Sequence, residues 1–425
     1  MSISSTPSIP KVTIETHGCK LNQADSSIIA NQFTKAGYIL SEDIASSEYF
    51  VLNTCTVTHI ADRKARKSIR HAKKHNPDIK IIVTGCYAEN APGILNDMPE
   101  VDYVIGNKNK TDLFNNLLQL DLNHKNDTPN NLQINKSRLM VKIQEGCDQI
   151  CAYCIIPKVR GREKSVDPQN IIALINSSSL IANKEVVLTG TELGSYGFEF
   201  KNQSLAKLLQ SILDNTDIPR IRVSSLQAQE ITEDLLSKWD NKRLCPHFHI
   251  SLQSGNETIL KSMRRKYNLN QYAETINLIR KKIPRSSITT DVIVGFPGEN
   301  IDTFQETYNF CKSTGFAAIH VFPYSKRPGT SSFYFKNNLN PKLKSEFVKS
   351  LITLSRQLEL EQMEKNINLP TSVLWERKLN IDSTLYYTGL SENYLKCLVS
   401  TPIEISNTIT YINPKTTLGN YLLAN

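Results

Sequence analysis

Residues 10–120 alternate short apolar runs with longer stretches of helical periodicity. Lys11–Thr16, Tyr49–Asn53, Ile79–Thr84 and Val101–Ile105 read as strands separated by helix-length patterns. That alternation predicts a parallel α/β sheet, because parallel neighbours need crossovers long enough to hold a helix. Asp121 to Leu132 is polar and aperiodic, and reads as a linker over 121–132. A second alternation follows, with strands expected at Leu139–Ile143, Glu185–Leu188, Arg220–Ser224, His247–Ser251, Ser287–Val294 and Phe316–Phe322. Six successive β/α units predict a partial (β/α)6 barrel over 133–368, with its loops after the strands forming one active face. Phe347, Leu351, Leu354 and Leu358 recur at helical spacing near its end and predict an amphipathic helix packed on the barrel. Beyond Pro370 the period shortens. Ser372–Glu376, Leu385–Thr388, Tyr394–Val399 and Thr408–Ile412 predict a small all-β barrel over 369–425. Tyr386, Tyr387, Tyr394 and Tyr411 there fit either a core or a base-stacking surface.

Composition narrows the setting. At 425 residues the chain has room for three domains. No apolar run approaches the length of a membrane span, and the Ser/Thr/Pro-rich start lacks a secretory pattern, so a cytoplasmic protein is expected. In a reducing compartment its nine cysteines should be free of disulfides. A net charge of +9 is compatible with a polyanionic partner without requiring one. His59 to His75 concentrates Arg63, Lys64, Arg66, Lys67, Arg70, Lys73 and Lys74 against Asp62 alone. A solvated face and a phosphate-tracking face both fit that run.

The cysteines change the picture most. Gly146-Cys147-Asp148-Gln149-Ile150-Cys151-Ala152-Tyr153-Cys154 puts three thiols into one short loop after an apolar run. Structural zinc wants four ligands, whereas a four-iron cluster can be held by three thiolates with one iron open to chemistry. An incomplete zinc knuckle or buried thiols are the alternatives. Each of the first three strands also ends in a cysteine: Thr16-His17-Gly18-Cys19, Asn53-Thr54-Cys55 and Thr84-Gly85-Cys86. Carboxyl ends of parallel strands converge on one edge of a sheet, so these three can meet at a second open cluster. Gly18 and Gly85 would let the backbone come close. The competing reading is that small apolar side chains merely fill strand ends. The loops after the barrel strands carry Gly190-Thr191-Glu192, Ser224-Ser225, Gln253-Ser254-Gly255, Gly295-Phe296-Pro297-Gly298-Glu299 and Pro323-Tyr324-Ser325. Small polar groups there suit a ligand bearing ribose hydroxyls, an ammonium and a carboxylate, in competition with ordinary turn chemistry. Arg160, Arg162 and Arg264-Arg265-Lys266 add charge near the rim, for phosphate contact or for solubility.

Taken together, Gly18-Cys19-Lys20-Leu21-Asn22, Asn53-Thr54-Cys55-Thr56-Val57-Thr58, Thr84-Gly85-Cys86-Tyr87, Gln144-Glu145-Gly146-Cys147 through Arg160-Gly161, Met263-Arg264-Arg265-Lys266-Tyr267, Asp291 to Glu299 and His320-Val321-Phe322-Pro323-Tyr324-Ser325 resemble the methylthiotransferase family of radical S-adenosylmethionine (SAM) enzymes. Within it the chain is most similar to the branch acting on threonylcarbamoyl-adenosine at position 37 of tRNA. The resemblance implies two 4Fe-4S clusters and SAM as cofactors. Cys147, Cys151 and Cys154 would hold the cluster that binds SAM and cleaves it to a 5′-deoxyadenosyl radical. Cys19, Cys55 and Cys86 would hold an auxiliary cluster that carries sulfur. A second SAM would give the methyl group, and the product would be the 2-methylthio base. By position in the barrel, Tyr153, Gly190, Thr191, Glu192, Ser224 and Gln253 would contact SAM, and the terminal module would be a tRNA-binding TRAM domain. The implied partners are the tRNA anticodon stem-loop, an electron donor and a sulfur source, without a membrane. A strong C–H bond at adenine C2 is beyond acid–base side chains, so no catalytic acid or base is nominated. Sister branches that share both triplets act on isopentenyl-adenosine tRNA or a ribosomal protein side chain. A non-catalytic, metal-stabilised RNA-binding protein is the remaining alternative. His17 and the Thr191-Glu192-Leu193 segment depart from the branch pattern. Cys245, Cys311 and Cys397 stand outside both triplets and are expected to be packing residues.

Overall fold

The computed structural model describes residues 9–114, 137–179, 183–336 and 338–424. The expected linker lies outside them. The chain forms two compact units, the first containing the N-terminal sheet and also Cys154–Arg162, the second containing Asn135–Tyr153 and the chain from Glu163 onward.

In the first unit, β1 (Lys11–Thr16), α1 (Lys20–Lys35), β2 (Ile39–Leu40), β3 (Tyr49–Thr54), α2 (His59–His75), β4 (Lys80–Gly85), α3 (Cys86–Asn90), α4 (Pro92–Asn96) and β5 (Tyr103–Ile105) build a parallel sheet in the order β2-β1-β3-β4-β5. Both faces are covered, as the apolar run of β3 requires. Phe50 and Leu52 pack with Ala65, Ile69 and Ala72 of α2, while Tyr49 and Val51 pack with Ile29 and Phe33 of α1. β2 is two residues long, too short to leave a periodic signal. The Thr58 hydroxyl caps α2 by accepting from Ala61 N at 3.2 Å. On that helix Arg70 pairs with Glu100 and Lys73 with Asp102, while Arg63, Lys64, Lys67 and Lys74 are exposed.

In the second unit, β6 (Arg138–Lys142), β9 (Glu185–Thr189) and β10 (Arg220–Val223) form one parallel sheet, in the order β10-β9-β6. β11 (Ser225–Leu226), β12 (His247–Ile250), β13 (Ser287–Val294) and β14 (Ala318–Pro323) form a second, in the order β11-β12-β13-β14. Only Ser224 separates β10 from β11, so the two sheets continue one another as an open barrel. β7 (Gln144–Glu145) and β8 (Lys164–Ser165) pair antiparallel beside it. Alternate strand residues face opposite ways. Val186, Leu188, Ile221, Val223, Phe248 and Ile250 join the apolar core, and the long helix Pro341–Glu364 adds Phe347, Leu351, Leu354 and Leu358. Between them along the same strands stand Glu185, Arg220, Arg222, His247 and His249, all buried polar groups.

β15 (Thr371–Ile381), β16 (Thr384–Ser391), β17 (Lys396–Val399), β18 (Ile409–Ile412), β19 (Thr416–Leu418) and β20 (Tyr421–Ala424) curl into a sheet ordered β18-β15-β16-β17-β20-β19. Trp375 is fully buried at a register shift in β15, and its indole N–H donates to Thr410 Oγ1 at 2.7 Å. Gly389 faces it where a Cβ would come within 2.5 Å of Leu374 O. The tyrosines divide: Tyr387 is core, Tyr411 is exposed, and Tyr394 serves neither role. Its ring stacks on His247 at 4.0 Å and lies 5.0 Å below the Arg222 guanidinium, so the β16–β17 turn is seated against the amino-terminal ends of the barrel strands.

No helix among the described residues is long and apolar enough to cross a membrane.

Candidate active site

In the first unit, Cys19 is the N-cap of α1, Cys55 follows β3 and Cys86 opens α3. Gly18 and Gly85 both have positive φ, at 97° and 93°, a region that favours glycine. A Cβ on Gly18 would stand 2.6 Å from Cys55 Cβ and 3.0 Å from its Sγ, and one on Gly85 would stand 2.5 Å from Thr54 O. Glycine is therefore required where these loops approach one another. Burial pushes the Cys55 thiol up to about 12, and the nearby Cys86 and Cys19 raise it further against a backbone hydrogen bond that lowers it. Three sulfurs that repel one another as thiolates are stable together when a cationic soft metal lies among them. The donor set and the glycine cradle thus fit an iron–sulfur cluster. Asn107 Nδ2 lies 3.7 Å from Cys86 Sγ and donates to Val159 O at 2.6 Å.

Arg160 does not lie on a charged rim. Its buried guanidinium donates to Asn22 Oδ1 and sits 3.3 Å from Asp25, whose carboxylate also meets the buried Lys110 ammonium at 2.6 Å. Asn22 in turn donates to His17 O at 2.7 Å and Thr54 O at 3.0 Å, tying the loops of Cys19 and Cys55 together.

In the second unit, the loop that carries Cys147 and Cys151 follows β6 and β7 at the carboxyl ends of the strands. Gln144 organises its start: its amide donates to Gly146 O at 2.8 Å, and its Oε1 accepts from the backbone N–H groups of Thr191 and Glu192, each at 2.9 Å. Gly190 is needed beneath it, since a Cβ would come within 2.9 Å of that same oxygen. Cys147 is buried, with its thiol donating to Glu192 Oε2 at 3.4 Å. Glu192 Oε1 accepts from the Gln149 amide at 2.7 Å and from the Gln227 amide. Arg265 donates to Cys151 Sγ at 3.3 Å and to Gln227 Oε1 at 2.7 Å, so it faces the loop and not a phosphate. The loop's far side is fixed by Ala152, whose N–H donates to Met263 O at 2.9 Å and whose carbonyl accepts from Ser332 N at 2.8 Å. Tyr153 meets Phe296 edge to face at 6.4 Å. Thiols beside a cation and a buried carboxylate are a donor set that fits a cluster with an open coordination position. Cys154 is half-buried and begins the segment that groups with the first unit.

Gln253, at the end of β12, has φ +68°, and its backbone is locked by bonds to Asp291 O at 2.8 Å and from Ile293 N at 2.9 Å. A side-chain residue held in the left-handed region is strained and is retained by its surroundings. Ser224 is buried, with its N–H bonded to Leu188 O at 3.0 Å. The sequence reading missed Gln227 and Glu230. Burial pushes the Glu230 carboxyl up to about 9, and the neighbouring Glu192 carboxylate raises it further. The available signal was polar side chains interrupting the apolar run after Leu226, although it also matches a helix start.

Comparison with known proteins places this geometry. Residues 11–106 match the model of uncharacterized protein family UPF0004, and residues 141–311 match that of the radical SAM superfamily. A threonylcarbamoyladenosine tRNA methylthiotransferase of Bacillus subtilis is 36% identical over 91% of this chain and 89% of its own length. One of Aquifex aeolicus is 38% identical, over 91% and 95% respectively. A tRNA-2-methylthio-N(6)-dimethylallyladenosine synthase of Dictyoglomus thermophilum is 32% identical, over 91% of each chain. Among solved structures, a radical SAM methyltransferase of Kitasatospora setae shares the fold with a TM-score of 0.56 at 11% identity, covering 76% of this chain and 77% of that one. On these relatives the chain belongs to the radical SAM methylthiotransferase family, in the branch of the threonylcarbamoyladenosine tRNA methylthiotransferases.

Proposed function

We propose that this enzyme adds a methylthio group to C2 of threonylcarbamoyl-adenosine at position 37 of tRNA, in the cytoplasm. The observation that carries the reading is the presence of two separate thiol triplets, Cys19, Cys55 and Cys86 after three strands of one sheet and Cys147, Cys151 and Cys154 within eight residues of sequence, in a chain alignable over nine-tenths of its length to enzymes of that name. Each triplet would hold a 4Fe-4S cluster, the second one together with SAM. Bound there, clusters and SAM supply one-electron chemistry strong enough to break an unactivated C–H bond, and sulfur and methyl for transfer.

The chain's own residues bind, orient and exclude water. Glu192 offers a buried carboxylate for the SAM ammonium, and Gln227 and Gln149 hold it in place. Gly190 leaves room beside the same ligand and Thr191, whose hydroxyl donates to Gly146 O, holds the loop that would line it, while Ser224 and the locked Gln253 would face it from other strand ends. Tyr153 and Phe296 form an apolar wall that keeps water from the site. Arg265 balances the negative charge that three thiolates bring, and its own proton is held far more firmly than usual: burial opposes this, but Tyr153, Tyr267 and Cys151 outweigh it. The exposed cations of α2 and the terminal β-module would meet tRNA phosphates. An electron donor and a sulfur source complete the set of partners.

The test is mass spectrometry of tRNA nucleosides from cells with and without the gene. The 2-methylthio derivative of threonylcarbamoyl-adenosine should disappear with the gene while its isopentenyl counterpart stays. An unchanged profile would defeat the assignment.

A further inference from the structure

Three titratable side chains inside the barrel have no part in the functions above. His249 on β12, Asp291 on β13 and His320 on β14 stand on three neighbouring strands, their nearest nitrogen and oxygen atoms all within 4.8 Å of one another. Strand register puts Asp291 opposite His320, and His249 opposite Thr289. Asp291 receives both rings, His249 Nε2 at 3.1 Å on one oxygen and His320 Nδ1 at 3.2 Å on the other. Ser251 Oγ adds a third contact at 3.4 Å. On the far side of His249, Nδ1 lies 2.9 Å from Thr289 Oγ1, which is also 3.0 Å from His247 Nε2.

The network fixes the tautomers. A carboxylate can only accept, so both rings donate to Asp291; His249 Nδ1 then accepts from Thr289, which accepts from His247. Burial works against the Asp291 charge, but His249 and His320 overcome it and hold the carboxyl well below the usual range. His320 Nε2 has no partner among the described residues, and its ring, stacked 5.3 Å from His249, is about half exposed, at 51%.

A run of contacts links this group of side chains to the cluster loop. Cys151 contacts Arg265, Arg265 contacts Tyr267 at 3.1 Å, the Tyr267 hydroxyl donates to Ser251 O at 2.7 Å, and the Ser251 hydroxyl reaches Asp291. We propose that His320, held in place by Asp291 and His249, binds the polar arm on N6 of the target adenine and sets the preference for a threonylcarbamoyl over a hydrocarbon arm. This rests on the function proposed above. The arm carries a ureido group, a hydroxyl and a carboxylate. His320 Nε2 accepts from the first two when the ring is neutral and donates to the third when it is cationic. A hydrocarbon arm would cover the same nitrogen and leave it unpaired. Sites built around a polar group reject analogues that lack it far better than apolar pockets reject an added one. His320 is thus a specificity-determining residue, and Asp291 and His249 are positioning residues.

The test uses the full chain, reconstituted anaerobically, and stem-loop RNAs carrying threonylcarbamoyl-adenosine, isopentenyl-adenosine or plain adenosine at the target position. Fluorescence anisotropy gives the affinity ratios, and mass spectrometry gives the products. His320→Leu should lower the preference for the threonylcarbamoyl RNA over the other two about ten-fold, with unchanged affinity for the plain RNA and unchanged iron content. His320→Gln, which can still bond on both sides, should keep most of the preference. An undiminished preference in His320→Leu, or equal losses on all three RNAs, would overturn the proposal. So would a divalent ion bound beyond the cluster iron and lost in both His320→Leu and His249→Ala, which would make the triad a metal site. If the wild-type protein yields no methylthio product on the threonylcarbamoyl RNA, the proposed function falls and takes this inference with it. If product forms and the preference survives His320→Leu, only the inference falls.

Discussion

The two ends of the barrel treat a buried carboxylate in opposite ways. At the amino-terminal ends of the strands Glu185 is fully buried, yet its carboxyl is held down at about 2: burial raises it, and Arg222 and Arg220 more than reverse the effect. Arg222 meets it at 2.8 Å and Arg220 at 3.0 Å. The two guanidinium groups also donate to backbone carbonyls at the end of β16 and just after it, Leu390 O at 3.1 Å, Glu392 O at 3.0 Å and Ser391 O at 3.2 Å, while the buried Arg220 Nε has no hydrogen-bond partner among the described residues. At the carboxyl-terminal ends, Glu230 is pushed up to about 9 by burial and by Glu192. One carboxylate is kept charged by two guanidinium groups, and the other carboxyl is kept protonated beside a second carboxylate. The contrast separates support from chemistry within one set of strands.

Breaking the reactive end has the largest effect. Cys147→Ala should abolish methylthiolation and remove roughly half of about eight irons per chain, with the fold retained by circular dichroism; full iron would reject the loop as a cluster site. At the supporting end, Glu185→Gln leaves two buried guanidinium groups without their counter-charge and should cost about 3–5 kcal/mol, read by denaturant unfolding, with little change in iron content. A third change sharpens the contrast through pH. Burial raises Glu299 to about 7, against an N–H bond from Gly295 and the nearby Lys344. The folded protein then binds more protons than the unfolded chain between the ordinary carboxyl range and that value. Stability should fall across this window as pH rises, by up to about 3 kcal/mol, and Glu299→Gln should flatten the profile. The smallest effect is expected from Tyr394→Ala, which removes the His247 stack and the Arg222 contact for about 1–2 kcal/mol and should lower the melting temperature without altering cluster content.

Much of this was legible in the chain. Strand positions followed from apolar runs, and the convergence of Cys19, Cys55 and Cys86 followed from three parallel strands each ending in the same residue. What stayed hidden depends on partners distant in sequence. Arg160 read as a surface cation because Asp25 lies 135 residues away. Arg265 read as a rim charge because Cys151 is 114 residues earlier. Tyr394 was ambiguous, since a tyrosine in a β-module looks the same whether it faces a core, a base or a neighbouring barrel. Short elements such as β2 leave too few residues for a period to register.

The seat of the β16–β17 turn bears on biosynthesis. The acceptors for Arg222 arrive 170 residues after it, far longer than the length of nascent chain that a ribosome tunnel hides. Until those residues emerge, Arg222 and Arg220 have Glu185 but lack their backbone acceptors.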